Sequence, residues 1–403
     1  MMERERTVQP VLERLGQLAL VVGMVALIVS AIGLILNPLQ FFHSYLVAFL
    51  YVFGFCVGCT GFAMIHYLGG GRWGAAIGDV LRSGIALWPV VGVMFIPVLL
   101  GMGYIYPWSN PAFIAADPLL QHKAAWFSIP AWGLRSVIYL VAFVLLGQYL
   151  NRWFQQWDAT GDPVPRRRLR NLSGGGMVLL VVGVSFAMFD WVMSLEPNWT
   201  STIYGLMYTV GHALSGWALA IFVMTRLRFR WPVSEYRSWK LWQDLGSLML
   251  AVVILWTYMS FDQFMLIWVA NLSDEIPWYL ARMTNGWEYL ALLMLFTQFA
   301  IPFGLLVLRG TRKSPVALGR VALVIFVGRF FEEIWLVEPD FGPAIFVNHW
   351  IDLTLGLGLG GIWLWLFLRE LRLRLIGVRP WGIFPDHATA AAIPHGPSLG
   401  TET

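Results

Sequence analysis

Leu15-Gly-Gln-Leu-Ala-Leu-Val-Val-Gly-Met-Val-Ala-Leu-Ile-Val-Ser-Ala-Ile-Gly-Leu-Ile-Leu36 is a run of 22 residues without a charge. As a helix it reaches about 33 Å, enough to cross the ~30 Å hydrocarbon core of a bilayer. It lacks the small-residue cleavage site of a secretory signal, so it is expected to remain as a span.

Outward from this run, similar ones recur near 44–67, 83–105, 130–150, 174–194, 203–225, 246–269, 286–308, 316–337 and 348–368. Barrel strands would be half as long and would alternate in polarity. The spacing predicts an all-α integral membrane protein of about ten transmembrane helices, with residues 1–380 as one membrane domain. The Pro-, Ala- and Gly-rich stretch 381–403 is expected to be a cytoplasmic tail without a fold of its own. Composition agrees: 58% of residues are hydrophobic and 12% charged, against about 25% charged in soluble domains. The 22 tryptophans suit the water–lipid boundary.

The net charge of +4 raises the question of nucleic acid, and the positions of the charges answer it. With the N-terminus inside, the inner segments hold 23 of the 27 Lys and Arg residues. They include Arg4, Arg6, Arg72, Arg82, Arg166, Arg167, Arg168, Arg309, Arg312, Lys313, Arg372 and Arg374. The outer loops hold only Lys123 and Arg282, while Arg135 and Arg329 fall inside helices. This one-sidedness is a topology signal, placing both termini in the cytoplasm of a bacterial inner membrane and excluding a nucleic-acid patch. The outer loops instead carry Asp117, Glu196, Asp274, Glu275, Glu338 and Asp340.

Two motifs have bland readings. Cys56 and Cys59, the only cysteines, lie in an apolar run with no further ligands nearby and read as small packing residues. Gly356-Leu-Gly-Leu-Gly-Gly361 has no preceding strand, so it reads as a helix-packing surface rather than a nucleotide loop.

The fifth run ends Asp190-Trp-Val-Met-Ser-Leu-Glu196-Pro197, and the ninth ends Glu333-Ile-Trp-Leu-Val-Glu338-Pro339. A shift of four helices preserves orientation. The echo therefore predicts two parallel four-helix bundles, helices 2–5 and 6–9, flanked by helices 1 and 10.

Ionisable residues inside a membrane are costly and are functional candidates by default. They are Arg135, Asp190, Asp262, Glu288, Arg329, Glu332, Glu333 and Asp352, with His212 and His349, all toward the outer half. Six acids face two arginines, so some acids are available to carry protons. Asp190, Asp262, Asp352, Glu333, His212 and His349 are the proton-path or quinol-proximal candidates. Arg329 with Glu332, at i and i+3, is the expected structural ion pair. No pair of histidines lies at matching depth for a haem, and no metal site is expected.

Together the motifs carry a resemblance. Asp190-Trp-Val-Met-Ser-Leu-Glu-Pro-Asn-Trp-Thr-Ser-Thr and Trp256-Thr-Tyr-Met-Ser-Phe-Asp-Gln-Phe-Met-Leu-Ile-Trp268 with Asn271 resemble the F subunit of bacterial alternative complex III (ActF). So do Pro302-Phe-Gly-Leu-Leu, Arg329-x-x-Glu332-x-x-Trp335, His349-Trp-Ile-Asp352 and the Gly-Gly-Ile-Trp ending at Trp363. The resemblance spans roughly residues 10–385. It departs at Asp262, where the family has Ser, and at Gln298, where it has His.

The resemblance implies an integral subunit of a quinol:cytochrome c or electron-acceptor oxidoreductase, related to the NrfD/PsrC-type membrane subunits. Its implied partners are an ActC-like sister subunit, an iron–sulfur subunit and haem c subunits. Iron–sulfur clusters and haem c belong to those partners. This chain is expected to bind no redox group of its own, with quinol or menaquinol as its candidate ligand. The alternatives are a self-contained secondary transporter, which favours broken helices and a polar midplane site, and a purely structural membrane scaffold.

Overall fold

The computed structural model describes residues 2–227, 238–342 and 350–375. Among them there is no strand, and ten helical spans follow one another. They are α1 (Met2–Leu36), α2 (Pro38–Gly69), α3 (beginning Arg72–Ile85), α4 (Ile129–Thr160), α5 (Pro163–Trp191), α6 (Tyr204–Leu227), α7 (Trp239–Ala270), α8 (Trp287–Val307), α9 (Pro315–Val337) and α10 (Trp350–Leu375). Nine of these are long and apolar enough to cross a membrane. The tenth, α9, is 23 residues long and is less apolar because it carries Arg320, Arg329, Glu332 and Glu333.

Several helices start earlier than hydropathy suggests, and the reason is local chemistry. Asn37-Pro38, Asp162-Pro163 and Ser314-Pro315 each pair a capping side chain with proline at the first helical position. Asn37 accepts from the Gln40 N–H, Asp162 from Val164 and Ser314 from Ala317. Capping satisfies an orphan donor, and proline there gives up no helical bond. At the other end of α7, Asn271 takes a left-handed conformation (φ 46°) and returns its N–H to Ile267, closing the helix.

Two spans are irregular. The third continues as Trp88–Met94, Ile96–Leu100 and Met102–Ile105, and its Pro89 and Pro97 supply no amide hydrogen for the ladder. In α8, Leu295–Ala300 is a π-turn immediately before Pro302, which cannot bond back to residue 298. The turn buries Gln298, whose Nε2 donates to Ile325 O at 3.2 Å.

The packing gives the two expected bundles. Helices α2, α3, α4 and α5 contact one another in a ring, as do α6, α7, α8 and α9. The rings meet through α2 and α6, with α5 against α6 and α9 against α2. Flanking them, α1 and α10 pack along each other, and α10 lies on α2 and α3. The α2–α6 contact is close because of glycine. A Cβ on Gly58 would fall 2.4 Å from His212 O, and one on Gly216 would fall 2.6 Å from Cys59 N. Backbones approaching this nearly replace bulky packing with direct main-chain contact. The glycine surface of α10 works in the same way, with Gly361 against Ala19 O and Gly23 of α1.

His349 and the tail 381–403 lie outside the described residues.

Candidate functional site

At the seam between the bundles, α9 presents Arg329, Glu332 and Glu333, one helical turn apart and all buried. The Arg329 guanidinium pairs with Glu332, donates to Glu333 Oε1 at 3.1 Å and donates to Ser215 Oγ of α6 at 3.1 Å. Glu332 also accepts the Trp256 indole N–H from α7 at 3.0 Å. His212 of α6 is fully buried, with Nδ1 3.7 Å from Glu333 Oε1.

Two glycines make room for these side chains. A Cβ on Gly211 would meet the Arg329 guanidinium at 2.6 Å, and one on Gly54 would meet His212 Nδ1 at 2.5 Å. One guanidinium cannot neutralise two carboxylates in hydrocarbon. Electroneutrality therefore requires one more proton among Glu332, Glu333 and His212. Arg329 lies eight residues, about 12 Å, from the C-terminal end of α9, and Glu332 and Glu333 lie between it and that end.

From this cluster a polar face of α6 runs toward the N-terminus of that helix as Ser215, His212, Tyr208 and Tyr204, spaced one turn apart. Tyr208 lies 5.5 Å from the His212 ring and 5.2 Å from Tyr204. Beyond Ser215, toward the C-terminus of α6, the same face continues with Leu219 and Phe222, and on the other side of the cluster the buried Gln298 of α8 lies against Gly328, next to Arg329. Its end at Tyr204 is covered by aromatic rings: Trp278 packs 5.9 Å from Tyr204 and stacks at 4.5 Å on Trp199. Arg282 lies over Trp278 at 3.5 Å and donates to Asp340 at 2.7 Å. Arg282 lies in the connection between α7 and α8, as the sequence indicates, and is buried there at the end of the short helix Ile276–Arg282.

A second acidic group joins the N-terminal ends of α2 and α10 and the C-terminal end of α9. Glu338 accepts from Gln40 Nε2 at 3.0 Å, and Asp352 is buried beside it. His43 bonds Tyr104 O at 2.9 Å and stacks on Phe341. Burial, and then the neighbouring Asp352, push the Glu338 carboxyl well above the ordinary carboxylate range. Burial also raises Asp340, against the opposing pull of Arg282.

Asp190 belongs to neither group. Its carboxylate takes two bonds from Arg135, at 2.7 and 2.8 Å, and one from the Tyr139 hydroxyl at 2.9 Å. This is a satisfied ion pair between α4 and α5. Just outside it lies a cavity of about 170 Å³ lined by Lys123, Trp126, Phe127, Phe189, Met193 and Trp199 among others. Glu288 accepts from the Gly286 N–H and caps the start of α8. Asp262 stands apart on α7, half-buried. The structure thus gathers His212, Glu333, Arg329 and Glu332, and separates them from Asp190, Asp352 and Asp262.

Cys56 donates to Gly84 O at 3.3 Å, and Cys59 packs on Gly84. Among the described residues no group of His, Cys, Asp and Glu is arranged to hold a metal ion.

Ten spans around a buried ionisable centre define a polytopic α-helical membrane protein. No protein-family model matches the chain, and no curated protein matches it in sequence.

Proposed function

We propose that the chain is an integral membrane subunit of a quinol-oxidising electron-transfer complex of the alternative complex III type. In this reading it handles protons on the outer side of a bacterial inner membrane. The observation that carries the reading is the Arg329–Glu332–Glu333–His212 cluster with its tyrosine file. Quinol oxidation releases protons together with electrons, and a buried group one proton short of neutrality, joined to a file of polar side chains that leads to one end of α6, suits their release. The motif resemblance supports the same class, and residues of two of its motifs meet in the Trp256–Glu332 bond. Electron carriers would reside on partner subunits, and a quinol ring would enter at the aromatic cavity beside Arg135 and Asp190. Orientation with both termini cytoplasmic follows from the basic loops.

The test is purification of the tagged chain from its native membrane. The outcome expected is co-purifying iron–sulfur and haem c subunits with quinol-driven acceptor reduction and proton release. A chain that purifies alone, without that turnover, overturns the proposal.

A self-contained secondary transporter is favoured by one observation: the π-turn in α8 packs on α9 at Gly328, next to the Arg329 charge cluster. Solute uptake by the chain alone in proteoliposomes would select it.

A further inference from the structure

The residues Tyr258, Phe261, Asp262, Met265, Leu266 and Val269 follow one another along α7 at spacings of three and four. This period puts them on one helical face. The face is bare: Tyr258 is 65% exposed, Phe261 60%, Leu266 62% and Val269 72%. Its neighbour Gln263 turns inward, buried and bonded to Ser201 at 2.7 Å. Asp262 therefore sits in the middle of an apolar, aromatic seam that faces out of the molecule. Among the described residues its carboxyl group makes no hydrogen bond and no ion pair. It lies six residues, about 9 Å, inward of Trp268 along the helix, and tryptophan marks the membrane boundary. That depth is hydrocarbon, where a carboxylate without a partner is strongly disfavoured. The equally bare face of α1, with Leu18, Val21, Val25 and Ile28, carries no ionisable group at such depth and is what a lipid-facing helix looks like.

We infer that the α7 seam around Asp262 is covered in the assembled protein by a transmembrane helix of a different subunit, which presents Lys, Arg or His to Asp262. Charge complementarity identifies the occupant. Lipid tails offer no donor, and a second copy meeting the same seam about a two-fold axis would bring Asp262 against Asp262. This rests on the proposed function, which makes the chain one subunit of a complex.

The experiment places a photo-crosslinking amino acid at Phe261 and Met265 in the full-length tagged chain in its native membrane, with Leu18 and Val25 as lipid-facing controls. The crosslinked peptide is then identified by mass spectrometry. The result expected is a membrane segment of another subunit, carrying a cationic residue, from positions 261 and 265 and not from the controls. Asp262→Lys should lower co-purification of that subunit at least tenfold, and reversing the charge of its cationic residue should restore it. Lipid adducts alone, a crosslink to a second copy, or undiminished co-purification of Asp262→Lys would each overturn the inference. A complex that purifies with quinol oxidation intact while positions 261 and 265 reach only lipid sinks the inference and leaves the function standing. A chain that purifies alone sinks the function first.

Discussion

The Trp256 indole on α7 donates to Glu332 on α9 at 3.0 Å, linking two helices of the second bundle through the same carboxylate that pairs with Arg329. The bond makes Glu332 the fixed member of the acid pair, since its neighbour Glu333 shares Arg329 but has no second protein donor among the described residues. Trp256→Phe removes the donor and leaves a buried acceptor short of a partner, a loss of about 1–3 kcal/mol. Thermal unfolding of the detergent-solubilised protein should fall accordingly. An unchanged midpoint would show that the bond contributes nothing.

Removing Arg329 is more severe. Arg329→Leu strands two buried carboxylates and should cost about 3–5 kcal/mol, enough to lower the yield of folded protein. Arg329→Leu combined with Glu332→Gln and Glu333→Gln should recover much of that yield. Failure of the triple variant to recover would mean that the arginine matters for reasons other than charge balance.

The close approach of α2 and α6 predicts an asymmetry between glycines. Gly58→Leu forces the helices apart, because a Cβ already meets His212 O at 2.4 Å. Overpacking of this kind costs about 1–3 kcal/mol or more. Gly304, on α8, has nothing within 4 Å of its Cβ position, so Gly304→Ala should be neutral or slightly stabilising. Unfolding midpoints of the two variants check this directly, and equal effects would contradict the inter-bundle contact.

The spans were legible in the sequence because a bilayer accepts little besides long apolar helices, and the run 15–36 needs no further argument. The bundle pairing was legible from the Asp190 and Glu333 echoes at matching helix ends. The meeting of His212 with Glu333 was not. It depends on which helix faces touch, and these are set by Gly54, Gly58 and Gly216, whose spacing is common to many membrane helices. Asp190 and Asp262 looked alike in sequence as single acids near the outer ends of spans. Only packing separates the first, clasped by Arg135 and Tyr139, from the second, left on an outer face.

Glu338 supplies a pH dependence. Its carboxyl is raised well above the usual range in the folded protein, first by burial and then by Asp352. A raised folded value means that the native state holds the proton more tightly than the unfolded chain. The associated stability is therefore present at acid pH and is lost as pH rises through the folded value. Unfolding midpoints should fall as pH rises from the ordinary carboxylate range upward, and Glu338→Gln should flatten that slope. A slope of opposite sign, or one that persists in the variant, would show that another group controls it.

The proton-handling role gives the sharpest contrast, between Glu333 and Asp190. Both are buried acids near the C-terminal ends of equivalent helices. Asp190 is held by three donors from two residues, the geometry of a structural ion pair. Glu333 shares its arginine with Glu332 and lies 3.7 Å from His212, within a group that needs a mobile proton to be neutral. Glu333→Gln keeps the shape and removes the titratable proton, so it should leave assembly intact and slow coupled turnover by about 100-fold or more, in the range associated with loss of a positioned acid–base group. Asp190→Asn should do the reverse, leaving Arg135 without its counter-charge and reducing assembled yield while the complex that forms turns over normally. The measurement is quinol-driven acceptor reduction with proton release in reconstituted complex, normalised to assembled protein. Full turnover and full proton yield in Glu333→Gln would reduce the seam cluster to a structural joint between the bundles.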